Sequence, residues 1–458
     1  MTYDLIVIGG GFAGLTVANR AAELGLKPLV LEASADEFYP CNSRYSTGSV
    51  HVAFNPPRTP PDDLYAAIID GTDGAARPDL ASAIANRAAD TIEWLRSQGA
   101  EFENHPRRTD DMPMLSPLRE MKAGLDWEGS GANRLLGILE QKLTERGGEL
   151  RRGVRATRIV VQDGAVAGVE AGAETFEAPN VAIADGGFQA SPDLMPAHIG
   201  CAPSSLQQRN AGTGVGDGLR MATDIGAATA GMGAFYGHVL SRDAMTNERL
   251  WPYPQIDVIC ATSLIVDANG HRFVDEGYGG IHIANAIAKL DDPLGATAIF
   301  DSTVWEQART LDNVPPNPSL PDAGGTVIEA GSIEELAEAA GIDRPGLVDT
   351  VATYNAHLAL GMVLIPPRTD TTYQPQPVVA PPFYAIPACA GITVTSGGLS
   401  VNGRGQVMDE GDSPIPGLFA AGSTVGGLEG GPRTAYLGGL IKSFAIGLIA
   451  AETIAASR

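Results

Sequence analysis

Apolar positions in this chain come first in short continuous runs and then at helical spacing. Residues 4–8 read D-L-I-V-I and residues 28–31 read P-L-V-L. Runs this short and this apolar suit strands of a parallel sheet buried on both faces. Residues 15–25 between them predict a helix, and further helices are expected over 62–71, 79–98, 132–146, 214–228, 333–340 and 345–360. Residues 158–170 read R-I-V-V-Q-D-G-A-V-A-G-V-E, two apolar strands about an Asp-Gly turn, which is a hairpin signal. A second hairpin is expected from Leu264 with Asn269-Gly270 as its turn, and short strands at 180–184, 398–401 and 417–422. Loops are expected at 39–52 and across most of 232–254, and a proline-rich connector at 366–382. Residues 435–456 are almost continuously apolar, but Lys442 and Glu452 interrupt them, so a buried core helix is expected rather than a membrane span.

The junction after the first strand carries chemistry. Gly9-Gly10-Gly11-Phe12-Ala13-Gly14 contains G-x-G-x-x-G between a strand and a helix, and the second strand ends in Glu32. In that context backbone N–H groups and the positive helix end meet a pyrophosphate, and the carboxylate can accept from a ribose. A dinucleotide site using Gly9, Gly11, Phe12, Ala13, Gly14 and Glu32 is therefore expected. A second glycine pair, Asp185-Gly186-Gly187, ends the strand at 180–184 and suits another close approach to a ligand. No second such motif stands between a strand and a helix, so a separate nicotinamide domain is not expected.

The order of elements predicts an α/β chain: a Rossmann-like domain over 1–235, an inserted α+β domain over 236–391, and completion of the first domain by 392–458. The 458 residues can bury a large core. With 31 Lys plus Arg against 54 Asp plus Glu, the formal charge of −23 argues against nucleic acid or an anionic membrane as partner. Cys41, Cys201, Cys260 and Cys389 are far apart, without a C-x-x-C pair, so neither a metal site nor a disulfide framework is expected. Reduced thiols, and a first strand too close to Met1 to leave room for an export signal, fit a cytoplasmic protein.

Several segments together resemble the flavoprotein family of soluble fumarate reductases, tricarballylate dehydrogenase and 3-ketosteroid Δ1-dehydrogenases. They are I-V-I-G-G-G-F-A-G-L, N-S-R-Y-S-T-G from Asn42, G-T-G-V-G-D-G-L from Gly212, N-G-H-R-F-V-D-E at 269–276, P-F-Y-A-I-P from Pro382 and P-I-P-G-L-F-A-A-G at 414–422. The resemblance implies FAD, a cap over its reactive face, and interconversion of CH–CH and C=C bonds beside a carbonyl or carboxyl group. It implies hydride transfer at flavin N5, with a side chain handling the proton. Its partners would be a small molecule with an activated CH–CH or C=C bond and an external electron acceptor, whether a quinone, a carrier protein or oxygen.

Carried onto this sequence, the resemblance adds Ala33, Asn42, Ser43, Arg44, Ser46, Thr47, Val154, Ala184, Asp185, Gly186, Gly422, Ser423, Gly438, Gly439 and Leu440 to the FAD contacts. Relatives with covalent FAD carry a histidine in the loop where Asn42 and Ser43 stand, so noncovalent FAD is expected. For catalysis it points to Arg433 and His238 as substrate-positioning groups and to Tyr436 or Tyr278 as proton acceptor. Arg433 could equally close a glycine loop, and Tyr436 could cap the last helix. Tyr236, His51 and His282 are further candidates.

Two departures bear on the substrate. The arginine donor of fumarate reductases has Gly277-Tyr278-Gly279-Gly280 in its neighbourhood, and their histidine before the later glycine pair has Thr393-Val394-Thr395-Ser396. A dicarboxylate clamp is thus dismantled, and a larger or less charged substrate than fumarate is expected. A redox-neutral isomerase or hydratase, or a flavin oxidase, stays open as an alternative.

Overall fold

The protein is described by a computed structural model covering residues 3–104, 112–369 and 371–458. A six-stranded sheet runs in the order Gln406–Met408, Pro414–Ala420, Val181–Ile183, Leu5–Ile8, Pro28–Glu32 and Glu149–Arg152. All neighbours are parallel except the first pair. Its central strands are buried along their whole length, as a parallel sheet covered on both faces requires. Helices Phe12–Glu23, Pro78–Ser97, Gly131–Glu145 and Gly439–Ala456 pack together on this domain.

Helix Gly439–Ala456 is the one helix among the described residues long and apolar enough to cross a membrane. It lies in the protein core instead, against Phe12–Glu23 and Pro78–Ser97. Its Lys442 reaches Glu429 at 2.9 Å, both side chains only 2% exposed, which satisfies the charge that interrupts the apolar run.

The predicted hairpin at 158–170 is present as Arg158–Gln162 against Ala165–Ala171, extended by Glu174–Glu177. A second sheet is built on the long strand Phe383–Thr395. It pairs antiparallel with Phe235–Ser241, Thr297–Asp301 and Ile328–Ala330, and parallel with Gln207–Gln208. Leu264–Val266 joins through Thr297–Asp301. This is the α+β cap on the Rossmann-like domain. Phe383–Thr395 runs through residue 391, and Gln207–Gln208 precedes residue 235, so the capping sheet draws strands from both sides of the expected junctions.

Four local expectations change. Residues 232–254 contain the strand Phe235–Ser241, because Tyr236, Gly237 and His238 interrupt an apolar alternation that pairing with Phe383–Thr395 restores. Phe383–Thr395 itself was hidden by Pro387, Cys389 and Gly391, yet nearly every residue in it is buried. The helix expected over 214–228 shortens to Asp217–Thr223. Beyond Leu264–Val266 the expected hairpin closes only through a single bridge from Val266 to Arg272.

Candidate active site

The turn after the first strand is shaped by contacts that admit no side chain. Gly9 has φ of 104°, and a Cβ there would lie 2.5 Å from the Ala184 carbonyl oxygen. A Cβ on Gly14 would lie 2.0 Å from the Gly9 carbonyl oxygen, so Gly14 lets the helix close on the strand. Glu32 accepts from Gly10 N–H and Ser34 N–H, both at 2.9 Å. Ser43 Oγ accepts from Phe12 N–H at 2.9 Å and ties the loop after Cys41 to the glycine turn. Gly11 brings no capping side chain and the first turn of helix Phe12–Glu23 holds no acidic residue, so apart from the neutral Ser43 contact its positive end is left without a counter-charge.

A cavity of about 390 Å³ opens at this turn. Of the residues expected at a cofactor, Gly9, Gly11, Phe12, Ala13, Glu32, Ala33, Asn42, Ser43, Val154, Ala184, Asp185, Gly186 and Ser423 line it. Two buried acceptors in its wall, Asp185 Oδ1 and Gln189 Oε1, have no protein partner. Unsatisfied buried oxygens are costly and suit a ligand that donates hydrogen bonds. Removal from water pushes the Asp185 carboxyl up to about 7, opposed by the 2.7 Å hydrogen bond from Gly218 N–H. The open helix end, the Glu32 carboxylate and these orphaned acceptors fit a dinucleotide of FAD type.

A second cavity, of about 340 Å³, shares Asn42, Ser43, Ser423 and Ser443 with the first. Ser46, Thr47, Gly439, Leu440, His238 and Tyr436 line it, together with Tyr236, Tyr253, Arg119 and Arg209. His238 Nδ1 lies 2.5 Å from Asp257 Oδ2, and His238 Nε2 lies 3.0 Å from the Tyr236 hydroxyl. Asp257 is held in turn by Val239 N–H at 2.6 Å. With the proton on Nδ1 facing the carboxylate, Nε2 accepts from the phenol. Tyr436 stacks on Tyr236, and its hydroxyl accepts from Gly439 N–H at 2.7 Å, leaving its own hydrogen to donate. Burial raises both phenols above their usual range, so both are protonated at neutral pH.

Several expected residues lie elsewhere. Arg433 sits on the surface, ion-paired with Asp73 and donating to the Asp70 carbonyl at 2.8 Å. Tyr278 is exposed and packs edge-on against His282. Arg44 is buried under the cofactor loop, where it donates to the Tyr39 carbonyl and to Asn133 and faces the rings of Tyr39 and Trp127. Gly14, Gly422 and Gly438 line neither cavity and serve close packing, Gly422 against Ala13 and Gly438 against the His51 backbone. Arg119, Arg209, Tyr253 and Asp257 carried no local signal in the sequence, and chain folding alone brings them to one cavity.

The model of the FAD binding domain family matches residues 4–435. A probable fumarate reductase of Shewanella frigidimarina is 26% identical over 470 residues, covering 99% of this chain and 75% of the relative. The 4-oxocyclohexanecarboxylate 2-dehydrogenase of Sinomonas cyclohexanicum is 26% identical over 518 residues, covering 92% and 87%. Among solved structures, a 3-ketosteroid-Δ4-(5α)-dehydrogenase from Rhodococcus jostii superposes with a TM-score of 0.73 at 20% identity, covering 99% of this chain and 97% of that one. That last likeness shows the fold alone.

Proposed function

This chain belongs to the FAD binding domain family and is an FAD-dependent oxidoreductase of CH–CH groups, and from that premise we propose that its second cavity desaturates, or in reverse reduces, the bond beside a substrate carbonyl. The relatives support the reaction class, since their names include fumarate reductase and 4-oxocyclohexanecarboxylate 2-dehydrogenase. FAD, held noncovalently in the first cavity, supplies the two-electron acceptor or donor when bound.

The observation that carries the reading is the run Asp257, His238, Tyr236 on a cavity that shares a wall with the cofactor site. In desaturation, the proton of the carbon next to the carbonyl passes to the Tyr236 oxygen as the phenol proton passes to His238 Nε2. Asp257 stabilises the resulting imidazolium. The same chain run backward delivers a proton to that carbon in reduction. Tyr436, fixed by Gly439 N–H, donates to the carbonyl oxygen and stabilises the enolate that forms. His238, expected as a positioning group, thus becomes part of the proton path, and Tyr236 rather than Tyr278 or Tyr436 meets the carbon-bound proton.

The test is anaerobic titration of the FAD-loaded enzyme with saturated cyclic ketones and carboxylic acids, following the visible flavin band, with deuterium on the two reacting carbons in a parallel run. Bleaching by one class, slowed by deuterium, is the expected result. Product accumulating while the band stays oxidised would overturn the reading in favour of a redox-neutral reaction.

A further inference from the structure

We propose that Arg119 and Arg209 form a carboxylate-recognition site in the second cavity, so that the substrate is a carboxylate-bearing compound. The inference rests on the reading of that cavity as the substrate pocket. Both arginines line it. Arg119 is 7% exposed, and its guanidinium donates to the Tyr45 carbonyl and lies over the Tyr253 ring at 5.6 Å. Arg209 lies over the same ring at 5.9 Å and donates to Thr393 Oγ1 at 2.9 Å, and its buried Nε has no partner. Among the described residues neither guanidinium forms an ion pair.

Two cations beside one phenol ring, with no carboxylate paired to either, are an incompletely compensated arrangement. Burial lowers the Arg119 value, the Tyr253 hydroxyl opposes that, and the neighbouring Arg209 charge lowers it further. A buried guanidinium lacking an anion is costly, and one whose donors remain open suits a planar, bidentate acceptor. Among the described residues, the acidic groups nearby pair with neither guanidinium. Asp257 holds His238, Asp126 pairs with Lys122, and Asp312, which lines the same cavity, forms no ion pair with either arginine. The missing counter-charge therefore comes from the ligand. Phe54, Met114, Met121, Leu125 and Trp251 line the same cavity and suit a compact hydrocarbon body between that charge and the phenols. Loss of the familiar clamp does not make this pocket neutral, because the positive charge has moved to other elements.

The FAD-loaded, oxidised enzyme is titrated with cyclohexanecarboxylate, its neutral amide and inorganic phosphate. Binding is read from perturbation of the flavin band and by calorimetry, with no turnover needed. The carboxylate is expected to bind and the amide and phosphate to bind at least about tenfold more weakly. Arg119→Met and Arg209→Met should each weaken the carboxylate about 10- to 100-fold and leave the amide unchanged, with partial retention in Arg209→Lys. Flavin content and melting temperature identify any variant that fails to fold, and Arg209→Lys then stands in for it. Equal binding of carboxylate and amide, equal binding of phosphate, or variants that weaken carboxylate and amide alike would overturn the proposal. Failure of the ketone and carboxylic-acid panel to bleach the flavin would instead count against the proposed desaturation in this cavity, since binding is measured separately.

Discussion

The rings of Tyr236 and Tyr436 lie face to face, with centroids 3.6 Å apart and planes 11° from parallel. Tyr236 belongs to the capping-sheet strand Phe235–Ser241, and Tyr436 to the loop entering helix Gly439–Ala456 of the cofactor domain. The stack therefore joins cap to base at the second cavity. It also sets two phenols with different partners side by side, one on His238 and one on a backbone amide. Tyr236→Phe keeps the ring and removes the proton carrier. Turnover should fall about 10²- to 10⁴-fold with flavin content and melting temperature preserved, as steady-state kinetics and absorbance on the same preparation will show. Unchanged turnover would remove Tyr236 from the proton path.

The loop carrying Tyr436 is anchored from below. Glu429 accepts from Leu437 N–H at 3.1 Å and pairs with buried Lys442. Lys442→Met strands a carboxylate in the core and should cost about 3–5 kcal/mol in denaturant unfolding. Adding Glu429→Gln should recover much of that loss, because a buried charge without a partner is worse than none.

Asp185 makes the flavin-free protein sensitive to pH. Its folded value, about 7, lies above that of an unfolded aspartate, so the folded state binds the extra proton. The stability this contributes is full below the unfolded value near 4 and is lost as pH rises to about 7, with no further change above. Melting curves of wild type and Asp185→Asn should therefore diverge between those limits, the variant becoming relatively more stable, and run parallel at higher pH.

Arg433 offers the opposite expectation. Its guanidinium is already taken by Asp73 and the Asp70 carbonyl on the surface. Arg433→Ala should leave kcat/KM within about twofold of wild type, as for a surface substitution away from the site. A hundredfold loss would restore it to the substrate pocket.

Acid or heat denaturation should release all the flavin into solution, with no colour left in the protein pellet. The cofactor cavity is lined by Asn42 and Ser43, and neither side chain offers the histidine ring that a covalent flavin in this loop would need.

Local sequence determined the cofactor half of this protein. The strand at Leu5–Ile8, the glycine turn, the following helix and Glu32 are contiguous, and each is required by close contacts between neighbours in the chain. Their pattern therefore survives without knowledge of the rest, as does the hairpin about Asp163-Gly164. The substrate half was decided by tertiary structure. Phe383–Thr395 is a strand because four others pair with it, although its Pro387 and Gly391 disfavour one locally. Tyr236 and His238 acquire Asp257 through that pairing, and Arg119 meets Arg209 beside Tyr253 from separate stretches of chain. A guanidinium's partner is set by which residues surround it in space. Local sequence could name Arg433 but could not show that Asp73 holds it on the surface, nor that Arg119 and Arg209 meet in one cavity with neither in an ion pair among the described residues.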